Sequence, residues 1–267
     1  MEVIVLKDAE HVAAMGAELV GELLHARPAA VLGLATGSTQ LALYRHLVER
    51  YQRGKISFRQ TISFNLDEYL GVAAESPQSY RSYMDREFFE YIDINKQNTF
   101  LPFCEDGQNP RLVGIEYEQK IQKAGGIDLQ LMGLGANGHI GFNEPSSSLR
   151  SRTRVKTLTR QTLKDNSRLF SDDEFQPKLA ITMGIATIMD ARSVLLLATG
   201  ESKAEAIGKM IEGPVTAMCP ASILQMHERA TILLDEQAAS GLKNRDYYDW
   251  AHQQNESLKS RFGVFHD

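Results

Sequence analysis

Short apolar runs alternate along the chain with longer stretches in which apolar residues recur every three or four positions. Residues 3–6 read as a strand, and Asp8 then caps a helix that carries Val12, Met15, Leu19 and Leu23 on one face and stops near Pro28. Residues 30–35 are an apolar strand, followed by the turn Thr36-Gly-Ser-Thr39 and a helix with Leu43, Leu47, Val48 and Tyr51, ended by Gly54. The next strand spans 61–65, and Ser76-Pro77 predicts a helix start, with serine as the cap and proline at the first helical position. Strands over 127–132, 179–183, 194–198 and 231–234 complete the set, with amphipathic stretches between most of them. Strands separated by helices predict an α/β fold with parallel pairing and right-handed crossovers. Such a sheet binds ligands beyond the carboxyl ends of its strands, so the loops that follow strands are where chemistry is to be sought.

Four of those loops are distinctive and gather on one edge of the predicted sheet: 36–39, 65–69, 133–145 and 199–203. The first is short, hydroxyl-rich and runs into a helix, so its backbone N–H groups and the helix dipole favour a phosphate, with Ser38 and Thr39 as added donors. It reads equally as an ordinary helix cap. Leu34-Ala-Thr-Gly37 is echoed by Leu197-Ala-Thr-Gly200, and Lys203 then falls in the first turn of a helix, where a cation suits a nearby anion or else solvent. The third loop contains Gly133-x-Gly135-x-x-Gly138, literally a dinucleotide fingerprint. Gly141 and Pro145 leave no helix to receive a pyrophosphate, however, and Arg152, Arg154 and Lys156 stand where an acid should bind ribose. The glycines instead turn the backbone tightly around His139 and Glu144, which share the loop with Asn137 and Asn143.

A histidine flanked by an acid and an amide is oriented for proton transfer near neutrality, or is a buried structural residue. His139, Glu144 and Asp67 lack the spacing of a metal site, and G-x-S-x-G is absent, which leaves acid–base chemistry on a phosphorylated small molecule. Composition narrows the partners. The 267 residues carry 29 Lys plus Arg against 34 Asp plus Glu, a net charge of −5, and 43% are hydrophobic. This gives no reason to expect nucleic acid or an anionic membrane as a partner, either of which favours a basic face. No apolar run reaches the ~18 residues of a membrane span. Cys104 and Cys219 stand far apart with no C-x-x-C spacing, which speaks against a disulfide scaffold and fits a reducing, cytoplasmic setting.

Leu32-Gly-Leu-Ala-Thr-Gly-Ser-Thr39, Asn65-Leu-Asp-Glu-Tyr69, Gly138-His-Ile-Gly-Phe-Asn-Glu-Pro145 and Ser151-Arg-Thr-Arg-Val-Lys-Thr157 together resemble the glucosamine-6-phosphate deaminase (isomerase) family, in order from the first strand to about residue 235. The resemblance implies a Rossmann-like α/β fold: an open, mostly parallel sheet with helices on both faces, one domain over 1–267, a lid near 150–180 and a helical tail from about 241. It implies conversion of glucosamine 6-phosphate and water to fructose 6-phosphate and ammonia in amino-sugar catabolism, without a metal or organic cofactor. By the same resemblance His139 is the ring-opening acid–base, Glu144 and Asn137 orient it, and Asp67 moves the proton between the second and first carbons. Gly37, Ser38, Thr39, Arg168 and Lys203 are then the phosphate cradle, a small cationic pocket within an acidic chain.

Some members carry Asp where this chain has Asn137, and an amide cannot share negative charge with His139 and Glu144. In allosteric, hexameric members N-acetylglucosamine 6-phosphate binds at a subunit interface; Ser147, Arg154, Lys156 and Thr157 match that site's core. Its tyrosine has no clear counterpart, Tyr247 and Tyr248 being nearest. Galactosamine 6-phosphate is an alternative substrate. A 6-phosphogluconolactonase would not need the Asp67 base, and a sugar-phosphate sensor would lose His139, Asp67 or Glu144 and carry a DNA-binding module for which the chain leaves no room.

Overall fold

The computed structural model describes residues 1–166 and 176–262. In chain order the elements are β1 (Glu2–Leu6), α1 (Ala9–Ala26), β2 (Val31–Leu34), α2 (Ser38–Gln52), β3 (Ile62–Asn65), β4 (Asp67–Tyr69), α3 (Tyr80–Glu87) and β5 (Thr99–Phe100). They continue through α4 (Pro110–Lys123), β6 (Leu129–Met132), β7 (Arg154–Thr157), α5 (Arg160–Asn166), β8 (Leu179–Thr182) and α6 (Ile185–Met189). The last described elements are β9 (Ser193–Ala198), α7 (Ala204–Ile211), β10 (Ala230–Asp235) and α8 (Arg245–Phe262).

Seven strands form one sheet in the order β1-β10-β9-β6-β2-β3-β5, every pair parallel. The apolar runs of the sequence are what such a sheet requires, because helices cover both of its faces and each side chain meets a core whichever way it points. On β9 and β10, Leu196, Ile232 and Leu234 pack with α4, α6 and α7, whereas Leu195, Leu197 and Leu233 pack with α1, α2 and α3. All six are at most 1% exposed, which at ~1.5–3 kcal/mol per buried aliphatic side chain makes these two strands a large share of the hydrophobic stabilisation. Cys104 and Cys219 are both buried free thiols.

Three expectations are corrected. The strand at 179–183 does not join the parallel sheet: β8 is the centre of a separate antiparallel sheet, β4-β8-β7. Its partners are short and polar, with Asp67, Glu68, Arg154 and Lys156 among their seven residues, so they lack the aliphatic signature of a strand and their pairing is entirely long-range. The stretch 65–69, expected as a loop, thereby contains a strand. The third helix also starts later than Pro77, at Tyr80. Residues 76–79 form a turn closed by Ser79 N to Ser76 O at 3.0 Å, with Pro77 at its second position, and Ser79 is the cap, its side chain accepting from Ser82 N at 3.0 Å.

Of the segment expected to act as a lid, β7, α5 and the start of β8 are described. Residues 167–175, including Arg168, lie outside the described residues. The expected tail is the 18-residue helix α8, which packs along β1 at the edge of the main sheet.

Because Leu196 sits at the centre of one core with no exposed surface, Leu196→Ala should cost about 3 kcal/mol of unfolding free energy without changing the urea m-value. Equilibrium denaturation checks this, and a loss below about 1 kcal/mol would contradict a tightly packed layer there.

Candidate active site

The three turns that follow β9, β6 and β2 lie side by side, since those strands are adjacent in the sheet. The middle one folds back on itself: Gly138 N bonds Gly135 O at 2.9 Å and Gly135 N bonds His139 O at 3.0 Å. Gly135 is required for space, because a Cβ there would stand 2.2 to 2.4 Å from three atoms of the His139 ring. The turn therefore seats the imidazole directly on its own backbone.

His139 is held by a relay. Its Nδ1 lies 2.7 Å from Asn137 Oδ1, Asn137 Nδ2 donates to Glu144 Oε2 at 2.8 Å, and His139 Nδ1 is 3.4 Å from that same carboxylate oxygen. A carboxylate only accepts, so the amide must present its NH2 to Glu144 and its oxygen to the ring. His139 therefore carries its hydrogen on Nδ1, and in the neutral ring Nε2 keeps the lone pair available to a substrate. The other oxygen of Glu144, Oε1, receives Thr162 Oγ1 at 2.5 Å, Thr159 Oγ1 at 3.2 Å and Thr159 N at 3.4 Å. Burial pushes the Glu144 carboxyl up, but the bonds and charge from His139 and the bonds from Thr162 and Asn137 outweigh it and hold the group at about 2.

Asp67 is treated in the opposite way. It is 6% exposed on β4, and burial, reinforced by the neighbouring Glu68, pushes its carboxyl up to about 8 against bonds from Phe142 N and the Thr182 hydroxyl. The small sheet places it: Asp67 pairs with Thr182, and Thr182 with Arg154 on the far side. Thr182 Oγ1 accepts from Phe142 N at 3.0 Å, tying this sheet to the His139 loop. Glu68 points elsewhere, accepting from the backbone N–H groups of Tyr69, Tyr80 and Arg81 at 2.8, 2.9 and 2.9 Å, so it serves as a cap for α3.

The first loop enters α2 through Gly37, whose φ of 132° a side chain would strain, and no side chain caps the helix. The first N–H groups around Ser38 and Thr39 thus have no hydroxyl or carboxylate cap of their own, which fits an anion better than the ordinary capped turn. Lys203 ends the short turn Glu201–Lys203 between β9 and α7.

Ser147, Arg154 and Lys156 fall close to Glu144. Ser147 is 2% exposed and its N–H bonds Glu144 O at 3.0 Å. Arg154 and Lys156 share one face of β7, Arg154 bonds Asn143 Oδ1 at 2.9 Å, burial lowers the proton affinity of both cations, and the charge of Arg154 lowers that of Lys156 further. Thr157 is exposed. Tyr248 bonds Glu212 at 3.2 Å and Tyr247 packs on Trp250, so neither is committed to this set. Among the described residues no group of three His, Cys, Asp or Glu could hold a metal ion. Thr159, Thr162 and Thr182 were not singled out in the sequence; only the Thr159-x-x-Thr162 capping spacing hinted at the first two.

The family model for glucosamine-6-phosphate isomerases/6-phosphogluconolactonase matches residues 7–233. The chain belongs to this family. It is 59% identical to the glucosamine-6-phosphate deaminase of Colwellia psychrerythraea over 267 residues, all of both chains. It is 57% identical to that of Hahella chejuensis over 260 residues, covering 97% of this chain and 98% of the relative. A solved monomeric glucosamine-6-phosphate deaminase superposes with a TM-score of 0.88 at 41% identity, over 91% of this chain and all of the other. The 6-phosphogluconolactonase of Trypanosoma cruzi shares the fold at 22% identity, with a TM-score of 0.73 over 91% of this chain and 97% of its own. Within the family, then, the deaminases are the nearer branch of those compared. No helix is long and apolar enough to cross a membrane among the described residues.

The raised Asp67 carboxyl has a thermodynamic signature. Its folded value near 8 lies above the ordinary ~3.9 of an unfolded chain, so the folded state keeps a proton that the unfolded state releases between those values. Stability from this group is present below pH ~4 and lost as pH rises toward 8. Asp67→Asn should therefore gain stability relative to the parent chain progressively from pH 5 to 8.5. Urea titrations across that range check it, and a difference independent of pH would show that Asp67 is ionised throughout.

Proposed function

We propose that this chain opens the ring of glucosamine 6-phosphate, isomerises the open-chain aldose and hydrolyses the resulting imine to fructose 6-phosphate and ammonia. One observation carries the reading: an oriented imidazole on the loop after β6 and a separate, buried carboxylate on β4 that takes no part in the imidazole's relay, the two held together through Phe142 and Thr182. The two groups correspond to two distinct proton transfers. A pyranose hides its carbonyl, so His139 Nε2 first takes the anomeric hydroxyl proton and returns it to the ring oxygen, with Asn137 and Glu144 stabilising the imidazolium between the two steps.

The aldehyde now acidifies the proton on the amine-bearing carbon. Asp67 removes it, the ammonium gives a proton to the enolate oxygen, and Asp67 returns its own proton to the first carbon. This leaves a protonated imine on the second carbon, to which water adds and from which ammonia departs. The phosphate is placed at the uncapped start of α2, with Gly37, Ser38 and Thr39, and with Lys203 and Arg168 as cations. Lactone hydrolysis would use the phosphate site but has no carbon-bound proton to move, so it gives Asp67 no task.

The same reading extends to regulation and assembly. Ser147, Arg154, Lys156 and Thr157 are assigned to an anion site for N-acetylglucosamine 6-phosphate between subunits, supported by the half-buried cation pair on one face of β7. Adding that compound should shift the substrate saturation curve to lower concentration; an unchanged curve removes the assignment.

Purified protein incubated with glucosamine 6-phosphate should release ammonia and ketose phosphate in equal amounts, and galactosamine 6-phosphate run in parallel decides the epimer preference. No ammonia from either sinks the proposal. Asp67→Asn should lower kcat by about 10³ while leaving sugar-phosphate binding. As Asp67 must be ionised to act, kcat/KM should rise with pH toward about 8. Thr182→Val, which deletes the hydroxyl that favours the carboxylate, should move that limb to higher pH; a limb unmoved by the substitution would detach Thr182 from Asp67.

A further inference from the structure

Glu144 divides its two oxygens between different parts of the chain. Oε2 faces Asn137 and His139, whereas Oε1 faces Thr159 and Thr162 at the start of α5. We infer that Thr162 is a positioning residue for His139: by pinning Oε1 it fixes the plane of the Glu144 carboxylate, so that Oε2 stays turned to Asn137 and the imidazole. The inference rests on the reaction proposed above, in which His139 opens the sugar ring.

Hydrogen counting supports the assignment. Thr162 has one hydroxyl hydrogen and two acceptors in reach, Glu144 Oε1 at 2.5 Å and Thr159 Oγ1 at 3.0 Å. The charged and nearer acceptor takes it. Thr159 Oγ1 meanwhile accepts from Thr162 N at 3.2 Å, which leaves its own hydrogen for Glu144 Oε1 or Thr162 Oγ1. The Thr162 hydroxyl is thus directed at the carboxylate, beside the weaker donation from Thr159 N at 3.4 Å. Glu144 and Thr162 are 3% and 4% exposed, so no solvent replaces a missing donor.

Without the Oε1 contacts, the carboxylate pivots about its last carbon–carbon bond and only the Asn137 amide and the imidazole restrain it. Among the described residues, the other ionisable groups facing Glu144 are His139 on its own loop and Lys156 from β7, and neither engages Oε1. The arrangement also means that α5 is docked onto a group of the proton relay. Displacing that helix releases Oε1 and with it the orientation of His139.

Valine matches threonine in shape and deletes only the hydroxyl, which makes Thr162→Val the informative variant; Thr162→Ser restores the hydroxyl. For Thr162→Val we expect kcat to fall about tenfold with KM within about twofold. Affinity for the reduced, open-chain amino-alditol phosphate, which needs no ring opening, should be unchanged, and Thr162→Ser should recover most of kcat. Unaltered kcat in Thr162→Val, equal loss of turnover and of open-chain analogue binding, or failure of serine to rescue would each overturn the inference. Amide hydrogen exchange keeps the test independent of folding yield and of the reaction itself. In Thr162→Val, segments 137–144 and 160–166 should exchange faster than in the parent chain, and unchanged protection in both overturns the anchoring. Absence of ammonia release by the parent chain, by contrast, is a failure of the proposed reaction and leaves the exchange result to decide the anchoring.

Discussion

Burying carboxylates is costly, and the candidate active site buries three of them: Asp67, Glu68 and Glu144 are 6%, 0% and 3% exposed. Each is accommodated differently, and the differences organise everything around them. Glu68 takes three backbone N–H groups, two of them from the first turn of α3, and so fixes where that helix begins. Glu144 collects hydroxyls, an amide and an imidazole, which keep it charged. Asp67 has only a hydroxyl and one N–H, and it holds its proton to about pH 8. Environment alone sets two adjacent acids and a third nearby to different tasks.

The small antiparallel sheet follows from this. A three-residue strand carrying two acids has no intrinsic reason to form, yet it places Asp67 opposite Thr182 and turns Glu68 to the opposite face. Neighbours in sequence point apart on a strand, so Glu68 caps α3 on one face while Asp67 stands against Thr182 on the other, and burial raises both carboxyls, Glu68 to about 7 and Asp67 to about 8. The same sheet brings Arg154 beside Thr182, and Arg154 in turn bonds Asn143 in the His139 loop. Base, relay and cationic strand are therefore parts of one hydrogen-bonded frame set over the edge of the parallel sheet.

How much of this the sequence disclosed depended on the range of the interactions. The main sheet was legible, apart from the two-residue edge strand β5, because most of its strands are apolar runs and its helices keep a regular period, both local signals. His139, Glu144 and Asn137 were legible because one glycine-rich loop holds all three. The pairing of β4, β8 and β7 was not, since Asp67 meets Thr182 across 115 positions and nothing in either short segment marks the other. Thr162 was missed for a related reason: a threonine near a helix start is ordinary, and only its distance to Glu144 gives it meaning. Pro77 misled because serine-proline opens turns as readily as helices, and the choice was made by Glu68 upstream and Ser79 downstream of it.

Asn137 gives the relay a direction that an aspartate would not. An amide has one donating and one accepting end, and Glu144, kept ionised by its hydroxyls, accepts only from the donating end. The accepting end is thereby committed to His139 Nδ1, and the ring has one tautomer compatible with the network. An aspartate at the same position, ionised, would face Glu144 across the distance that Nδ2 now bridges, and two carboxylates so close must share a proton or separate. The chain avoids that repulsion and accepts a smaller electrostatic pull on the imidazolium, since only Glu144 contributes a full negative charge. A relay with a single charge depends more heavily on how that charge is aimed, and this is why the threonines behind Glu144 matter to a histidine they never touch.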